Sequence, residues 1–128
     1  GVYDPERRRL RYASAGHPPT RLRRGHRAVR DLEGTSGLPL GVMPEETWSE
    51  AEITLVPGDV VLLYTDGIIE GINKVGEQFG RERLDDALRL APLRAAHLVR
   101  HLEHRFKDFC NGVPELDDRT LLAAVAVP

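Results

Sequence analysis

Two short apolar runs constrain this chain more than any other feature. Residues 60–64 read VVLLY, and residues 121–127 read LLAAVAV. The first run is apolar at every position, so it predicts a strand that is buried on both faces. It follows Pro57-Gly58, which supplies the two central residues of a type II turn. The second run predicts a closing strand, and together they require a sheet that other elements cover.

Shorter runs predict the remaining strands. Ala51, Ile53 and Leu55 alternate with polar residues, which is typical of a half-buried strand. Gly25-His26 separates two β-favouring runs and predicts a hairpin. The segment EGTSGLPLGVMPEET is rich in glycine and proline and predicts a structured loop. The other predicted strands cover residues 8–14, 20–24 and 28–32, preceded by the end of a strand at residues 1–3 and a turn at Asp4-Pro5-Glu6.

Two helices are predicted before the closing strand. Residues 81–90 repeat apolar side chains with a helical period, and residues 98–110 do the same. Pro92 suits the first turn of the second helix, and Asn111-Gly112 predicts its end. Strands followed by helices and a closing strand indicate an α+β fold of mostly antiparallel strands, with both helices packed on one face.

The composition is that of an ordinary globular protein. The 128 residues suit one domain, and the net charge of −2 gives no general case for binding nucleic acid or a membrane. Residues 1–30 carry nine arginines against two acidic residues, a formal balance of +7, so the remainder carries −9. Such asymmetry can mark a surface for an anionic partner, but arginines that alternate along strands are interpreted as a solvated face. The single cysteine, Cys110, excludes an internal disulfide and suits a reducing, cytoplasmic interior.

Carboxylates accompany both apolar runs. Asp66 follows the first run, and Asp117-Asp118 precede the second. If the two strands are antiparallel neighbours, these ends meet at one rim of the sheet, and oxygen ligands gathered there suit Mg²⁺ or Mn²⁺. Successive side chains on a strand point to opposite faces, so only one of Asp117 and Asp118 is expected to face a shared ion. The alternative is turn chemistry for Asp-Gly and a loop cap for the adjacent aspartates.

Five motifs occur in a characteristic order, and together they cover nearly the whole chain. They resemble the metal-dependent protein serine/threonine phosphatases of the PPM type, which are protein phosphatase 2C-like, in the bacterial SpoIIE/RsbU-like branch. The resemblance implies that family's β-sandwich with flanking helices. The motifs are ASAGHPP at 13–19, GLPLGV at 37–42, LVPGDVVLLYTDGIIE at 55–70, GEQFGRERL at 76–84 and DDRTLLAAVAV at 117–127.

The resemblance implies a role for each residue of the TDG and DD-x-T motifs. Asp66 and Asp117 correspond to aspartates that bind a pair of Mn²⁺ or Mg²⁺ ions. Gly67 would let the backbone approach the site closely, and Thr65 lies beside it. Asp118 aligns with a position that is often asparagine, which places it behind the ligands or at the surface.

One family motif has no counterpart in this sequence. The other main metal aspartate of the family sits in a G-D-x-x-G-H-G motif on an early strand. Gly58-Asp59 cannot replace it, because Val60-Val61 follow directly. Residues 1–128 therefore resemble the C-terminal portion of a single phosphatase domain, without its N-terminal half or any sensor domain. We expect this chain to be inactive alone and to self-associate through its uncovered strand edges.

The implied reaction is hydrolysis of phosphoserine or phosphothreonine on a regulatory protein by a metal-activated water. The resemblance suggests a STAS-domain anti-anti-sigma factor as that protein. A non-catalytic phosphatase-like module that only docks a partner is the first alternative. A carboxylate-metal hydrolase of another class remains the second.

Other candidate residues have weaker claims. His17, in AGHPP, has either a role near substrate or a role in packing a turn. Cys110 and Trp48 are interpreted as packing residues. Three histidines have helical spacing but lie beside arginines without a supporting carboxylate or cysteine, so they are interpreted as solvated helix surface: His97, His101 and His104.

Overall fold

A computed structural model describes residues 1–25, 28–35, 37–114 and 117–128. The predicted turn residue His26 and its neighbour Arg27 lie outside the described residues. No helix in the described ranges is long and apolar enough to cross a membrane. The strands are β1 (Val2–Asp4), β2 (Arg9–Tyr12), β3 (Arg21–Arg24), β4 (Ala28–Asp31), β5 (Ala51–Thr54), β6 (Val60–Tyr64) and β7 (Leu121–Val125), and the helices are α1 (Asp66–Ile69), α2 (Gly80–Leu90) and α3 (Ala95–Cys110).

The described strands form two sheets in which every pairing is antiparallel. One sheet has the order β1-β2-β5, and the other has the order β4-β3-β6-β7. The predicted α+β class is confirmed. β6 and β7 are direct neighbours, with Tyr64 paired to Leu121 and Val60 paired to Val125. The two apolar runs therefore lie side by side, with the end of β6 against the start of β7.

The main core lies between the larger sheet and the helices. β6 is buried at four of its five positions, as its uniform apolar sequence predicts. Leu62 and Tyr64 join Leu84, Leu88 and Leu98 of the two longer helices in one cluster. The turn before β6 is also confirmed, because the amide of Asp59 donates to Val56 O at 2.9 Å and Gly58 has φ +92°.

The second long helix begins later than predicted. Pro92 was expected in its first turn, but α3 begins at Ala95, after an extended Arg94. Ala91 is also extended, with ψ 144°, because a residue before proline is disfavoured in the α region. The predicted end is correct: Asn111 has a left-handed φ of 46° and its amide donates to Lys107 O.

The other face of the larger sheet borders a groove between the two sheets. The groove has a volume of about 900 Å³ and is mostly apolar. β7 alternates between half-buried and exposed positions, and Leu122 is 55% exposed. Residues from both sheets line the groove, including Leu10, Tyr12, Leu55, Val61 and Leu63.

The interpretation of the strand arginines as a solvated face is wrong for β3. Arg21 and Arg23 are only 5% and 3% exposed. Arg21 donates to both oxygens of Asp85 on α2, from Nε at 2.8 Å and from Nη2 at 2.5 Å. Arg23 donates to the carbonyls of Leu88 and Ala91 at the end of the same helix. These charged hydrogen bonds compensate for burial and fix α2 on the sheet.

The pKa values of Arg21 and Arg23 are shifted in opposite directions. Burial opposes the charge of Arg21, but hydrogen bonding to Asp85 and the nearby charge of Asp31 outweigh it, so the pKa of Arg21 is raised. Burial alone lowers the pKa of Arg23, which donates to the neutral carbonyls of Leu88 and Ala91. Arg21 therefore depends on its carboxylate partners, whereas Arg23 caps the end of a helix.

Candidate metal centre

The candidate site begins at the joint between the end of β6 and the segment before β7. Thr65 makes three hydrogen bonds across this joint. Its amide donates to Thr120 O at 3.2 Å, its hydroxyl donates to Asp118 O at 3.1 Å, and that hydroxyl accepts from the amide of Thr120 at 2.9 Å. Thr65 precedes the short helix α1, but its hydroxyl does not cap that helix. It instead ties the TDG segment to the DDRT segment.

Gly67 packs against the same partner. A Cβ built on Gly67 would lie 2.5 Å from the carbonyl oxygen of Asp118 and 3.3 Å from Cγ of Arg119. Real Cβ atoms do not approach an oxygen this closely, so only glycine fits without movement. The residues on both sides of Asp66 therefore contact Asp118. The predicted meeting of the two aspartate-bearing segments at one rim is present in the backbone.

The carboxylates themselves lie at the surface of this joint. Asp66, Asp117 and Asp118 are all exposed. Asp66 Oδ1 accepts from the amide of Gly67 at 3.0 Å, and Asp117 Oδ1 accepts from the amide of Asp118 at 2.7 Å. These contacts are within each motif, and they orient each side chain at the start of its own segment.

The ligand atoms are of the type that a hard divalent cation binds, but the described residues bring too few of them together to complete its coordination shell. Exposed carboxylate oxygens are suitable ligands for Mg²⁺ or Mn²⁺. Within the described ranges, however, no group of three or more histidine, cysteine, aspartate or glutamate side chains is arranged to hold a metal ion. Asp66 and Asp117 would supply part of a coordination shell, and the remaining ligands would come from elsewhere.

Sequence reasoning missed the short helix α1 and the position of Arg119 beside the joint. α1 was not predicted, because four residues containing a glycine give no helical period. Arg119 lies with its guanidinium carbon 4.9 Å from the centre of the Phe106 ring and with Cγ beside Gly67. The basic residue within DDRT is the only signal of this contact in the sequence.

His17 lies at the same rim but does not contact the aspartates in any hydrogen bond among the described residues. It is exposed, and its Nδ1 is 2.6 Å from the carbonyl oxygen of Pro18. The segment leads into β3, whose first residue, Arg21, pairs with Leu62 of β6. His17 therefore precedes the strand next to β6, and it also lines the groove between the two sheets.

The remaining candidate residues are the histidines of α3, Cys110 and Trp48. His97 and His104 are exposed on α3, and His104 lies 3.4 Å from Asp108. The interpretation as solvated surface is wrong for His101, which is half-buried and whose Nε2 is buried without a hydrogen bond to any described residue. Cys110 is buried, and burial raises the pKa of its thiol although Arg119 opposes the effect. Trp48 is half-buried and donates from Nε1 to Leu38 O at 2.9 Å. Cys110 and Trp48 are packing residues, as predicted.

Known proteins share the sequence pattern and the fold of this chain. The family model described as stage II sporulation protein E (SpoIIE) matches residues 1–126. The chain belongs to this family. Protein IcfG of Synechocystis sp. is 28% identical to it over 123 residues, which cover 96% of this chain and 19% of IcfG.

Solved phosphatase domains have the same fold. The RsbU and RsbW domains of Rv1364c from Mycobacterium tuberculosis are 28% identical, with a TM-score of 0.73 over 94% of this chain and 34% of that one. The Mn-presoaked phosphatase domain of SpoIIE from Bacillus subtilis is 16% identical, with a TM-score of 0.74 over 98% of this chain and 54% of that one. The chain thus corresponds to part of a PP2C phosphatase domain and spans about half or less of these relatives.

Proposed function

We propose that this chain is the C-terminal portion of a metal-dependent phosphoprotein phosphatase domain. The observation that carries the proposal is the joint between the two aspartate motifs. Thr65 and Gly67 fix the TDG segment against Asp118, which brings Asp66 and Asp117 to the same rim. Family membership supports the reaction class, since the relatives include phosphatase domains.

In this proposal the chain's own residues provide metal ligands and hold the two aspartate-bearing segments in position. Asp66 and Asp117 are the metal ligands, and Asp118 is not. The Thr65 hydroxyl and the small size of Gly67 keep the two segments in register. When bound, divalent ions stabilise charge on a phosphoryl group and acidify water. No protein nucleophile is needed in this role, so the chain's contribution is ligand placement.

The substrate proposal follows the family resemblance. Serine- or threonine-phosphorylated regulatory proteins are the expected class, and a STAS-domain anti-anti-sigma factor is the specific candidate. The RsbU domain of Rv1364c, a relative by sequence and fold, supports a regulatory phosphatase more generally. The reaction removes phosphate from the side-chain oxygen and leaves serine or threonine.

A non-catalytic docking module is the second candidate. It is favoured by one observation, the lack of three clustered metal-ligating side chains within the described part of the chain. Under the phosphatase proposal, the missing ligands lie in the rest of the parent domain. This chain alone then hydrolyses phosphoserine substrates negligibly.

The test compares three proteins on a serine-phosphorylated STAS-domain protein with Mn²⁺. They are the intact parent domain, the same domain carrying Asp66→Asn, and this chain alone. We expect hydrolysis by the parent and a loss of on the order of a hundredfold or more in the variant, because asparagine keeps the turn but removes an anionic ligand. Full activity in the variant would refute the ligand role, and metal-dependent activity of this chain alone would refute its incompleteness.

A further inference from the structure

An apolar loop projects from the same edge of the protein as the candidate metal centre. Residues 38–43, here called the apolar loop, read LPLGVM. Leu40 is 74% exposed, Val42 is 58% exposed and Met43 is 53% exposed. Single exposed apolar residues are ordinary, but several together on one loop indicate a surface that binds another molecule.

The apolar loop is held in one conformation. The amide of Val42 donates to Pro39 O at 3.3 Å, and Gly41 has φ +84°, as the third residue of a type II turn requires. Pro39 packs so closely on Gly16 that an added Cβ there would lie 2.5 Å from its ring. The Nε1–H of Trp48 donates a hydrogen bond to Leu38 O at 2.9 Å. An ordered loop loses little conformational entropy when it binds a partner.

Sheet register places the end of β4, from which the chain leads to the apolar loop, at the same end of the larger sheet as the candidate metal centre. Arg21 at the start of β3 pairs with Asp31 at the end of β4 and with Leu62 near the end of β6. The chain therefore leaves β4 at the rim that carries Asp66. The amide of Gly16 donates to Gly37 O at 2.9 Å and fastens the loop to the segment that enters β3. β3 separates β4 from β6, so the chain leaves β4 at two strand spacings, roughly 10 Å, from β6, a distance that a protein bound at that rim can span.

The charge around the apolar loop defines the chemistry of its partner. Residues 33–50 contain four glutamates and no lysine, arginine or histidine. Glu50 lies 3.8 Å from Arg11, whereas Glu45 and Glu46 make no ion pair with any residue that the structure describes. An acidic, apolar surface repels an anionic membrane and is complementary to a segment that is both basic and apolar.

We propose that the apolar loop docks the substrate protein through apolar and basic residues that flank its phosphoserine. The inference rests on the proposed phosphatase function and adds a substrate preference to it. The loop contacts the flanking chain while the phosphate group is at the aspartate rim. Binding energy from residues outside the reacting bond then contributes to substrate choice.

The experiment uses the intact phosphatase domain that contains this chain, with Mn²⁺ and three phosphoserine peptides. The peptides differ only in their flanks: leucine with lysine, glycine with serine, and leucine with glutamate. The readout is kcat/KM for each peptide relative to the glycine-serine peptide. We expect the leucine-lysine peptide to be preferred by about tenfold, and Leu40→Ser with Val42→Ser to remove most of that preference.

Two further variants separate the contributions. Glu45→Gln with Glu46→Gln is expected to reduce the gain from lysine and to spare the gain from leucine. Val75→Ser is the matched control, because Val75 is an apolar residue that is 80% exposed on a different loop, and it should leave the preference unchanged.

Each outcome decides the docking proposal separately from the phosphatase proposal. No preference in the parent, or a preference that persists in the Leu40 and Val42 double variant, overturns docking. Unfolding of that variant at a lower temperature, together with equal losses on all peptides, also overturns it, because the loop would then pack within the parent domain. If the parent hydrolyses no peptide, the phosphatase proposal fails, and fluorescence anisotropy of the same labelled peptides then decides docking by the same ranking.

Discussion

Replacing Gly67 by alanine tests how the backbone positions the candidate metal ligands. Gly67 is buried and has no positive φ, so alanine meets no conformational penalty there. The obstacle is contact alone, since the new Cβ would lie 2.5 Å from the carbonyl oxygen of Asp118. That oxygen also accepts the hydroxyl of Thr65, so it cannot move without disturbing the joint.

The expected magnitude follows from the movement that is needed. An ordinary carbon contact requires about 3.5 Å, so the two segments must separate by roughly 1 Å. Overpacking of this kind costs about 1–3 kcal/mol of stability. A displacement of about 1 Å also moves Asp66 relative to Asp117, and a misplacement of that size can cost on the order of a hundredfold in rate.

Gly71→Ala is the matched control for this variant. Its added Cβ would lie 2.4 Å from the far end of the Phe106 ring, away from the Asp118 carbonyl. Both variants should lower the free energy of unfolding of the intact domain, measured with urea. Only Gly67→Ala should also weaken Mn²⁺ binding, measured by calorimetry. If Gly67→Ala binds Mn²⁺ as the parent does, or if Gly71→Ala weakens binding equally, the positioning role of the joint is refuted.

Three further predictions concern packing and assembly. Asp85→Asn should destabilise the intact domain by about 1–3 kcal/mol, because buried Arg21 loses one carboxylate partner and keeps Asp31. Exposed Asp86→Asn is the control, and equal denaturation midpoints would contradict the prediction. Burial raises the pKa of Tyr64 above its ordinary 10.0 despite nearby arginines, so its contribution to stability is full below that value and lost as pH rises through the higher folded pKa. Tyr64→Phe should therefore lessen the fall in stability above about pH 10, whereas exposed Tyr3→Phe should not. This chain alone should self-associate through its strand edges and the open groove, and a monomer at high concentration in sedimentation would count against that.

The sequence predicted the elements whose signal is local. The uniform apolar run of β6 and the proline-glycine turn before it depend on adjacent residues, and both are present. Burial of Arg21 could not be predicted in the same way, because its partner Asp85 lies 64 positions away on α2. The late start of α3 reflects two extended residues around Pro92, whose effect on the following turn is not visible in a periodic pattern.

The candidate site likewise combines features that the sequence predicts with features that depend on tertiary contacts. The meeting of the TDG and DDRT segments followed from antiparallel pairing of two apolar strands, which the register confirms. The hydroxyl of Thr65 and the contact of Gly67 with Asp118 are tertiary details that determine how the segments are held. Alternation along a strand predicted only that one of Asp117 and Asp118 faces a shared ion, and it does not apply directly, because both residues lie before β7 begins. The choice of Asp117 followed from the family resemblance and remains a prediction.

Calorimetric titration of Mn²⁺ into the intact parent domain tests the central claim most directly. Four proteins are compared: the unaltered domain, Asp66→Asn, Asp117→Asn and Asp118→Asn. The account predicts that the first two substitutions each weaken Mn²⁺ binding by at least about tenfold, and that Asp118→Asn changes it far less. Equal weakening by all three substitutions, or unchanged binding in Asp66→Asn and Asp117→Asn, would contradict it.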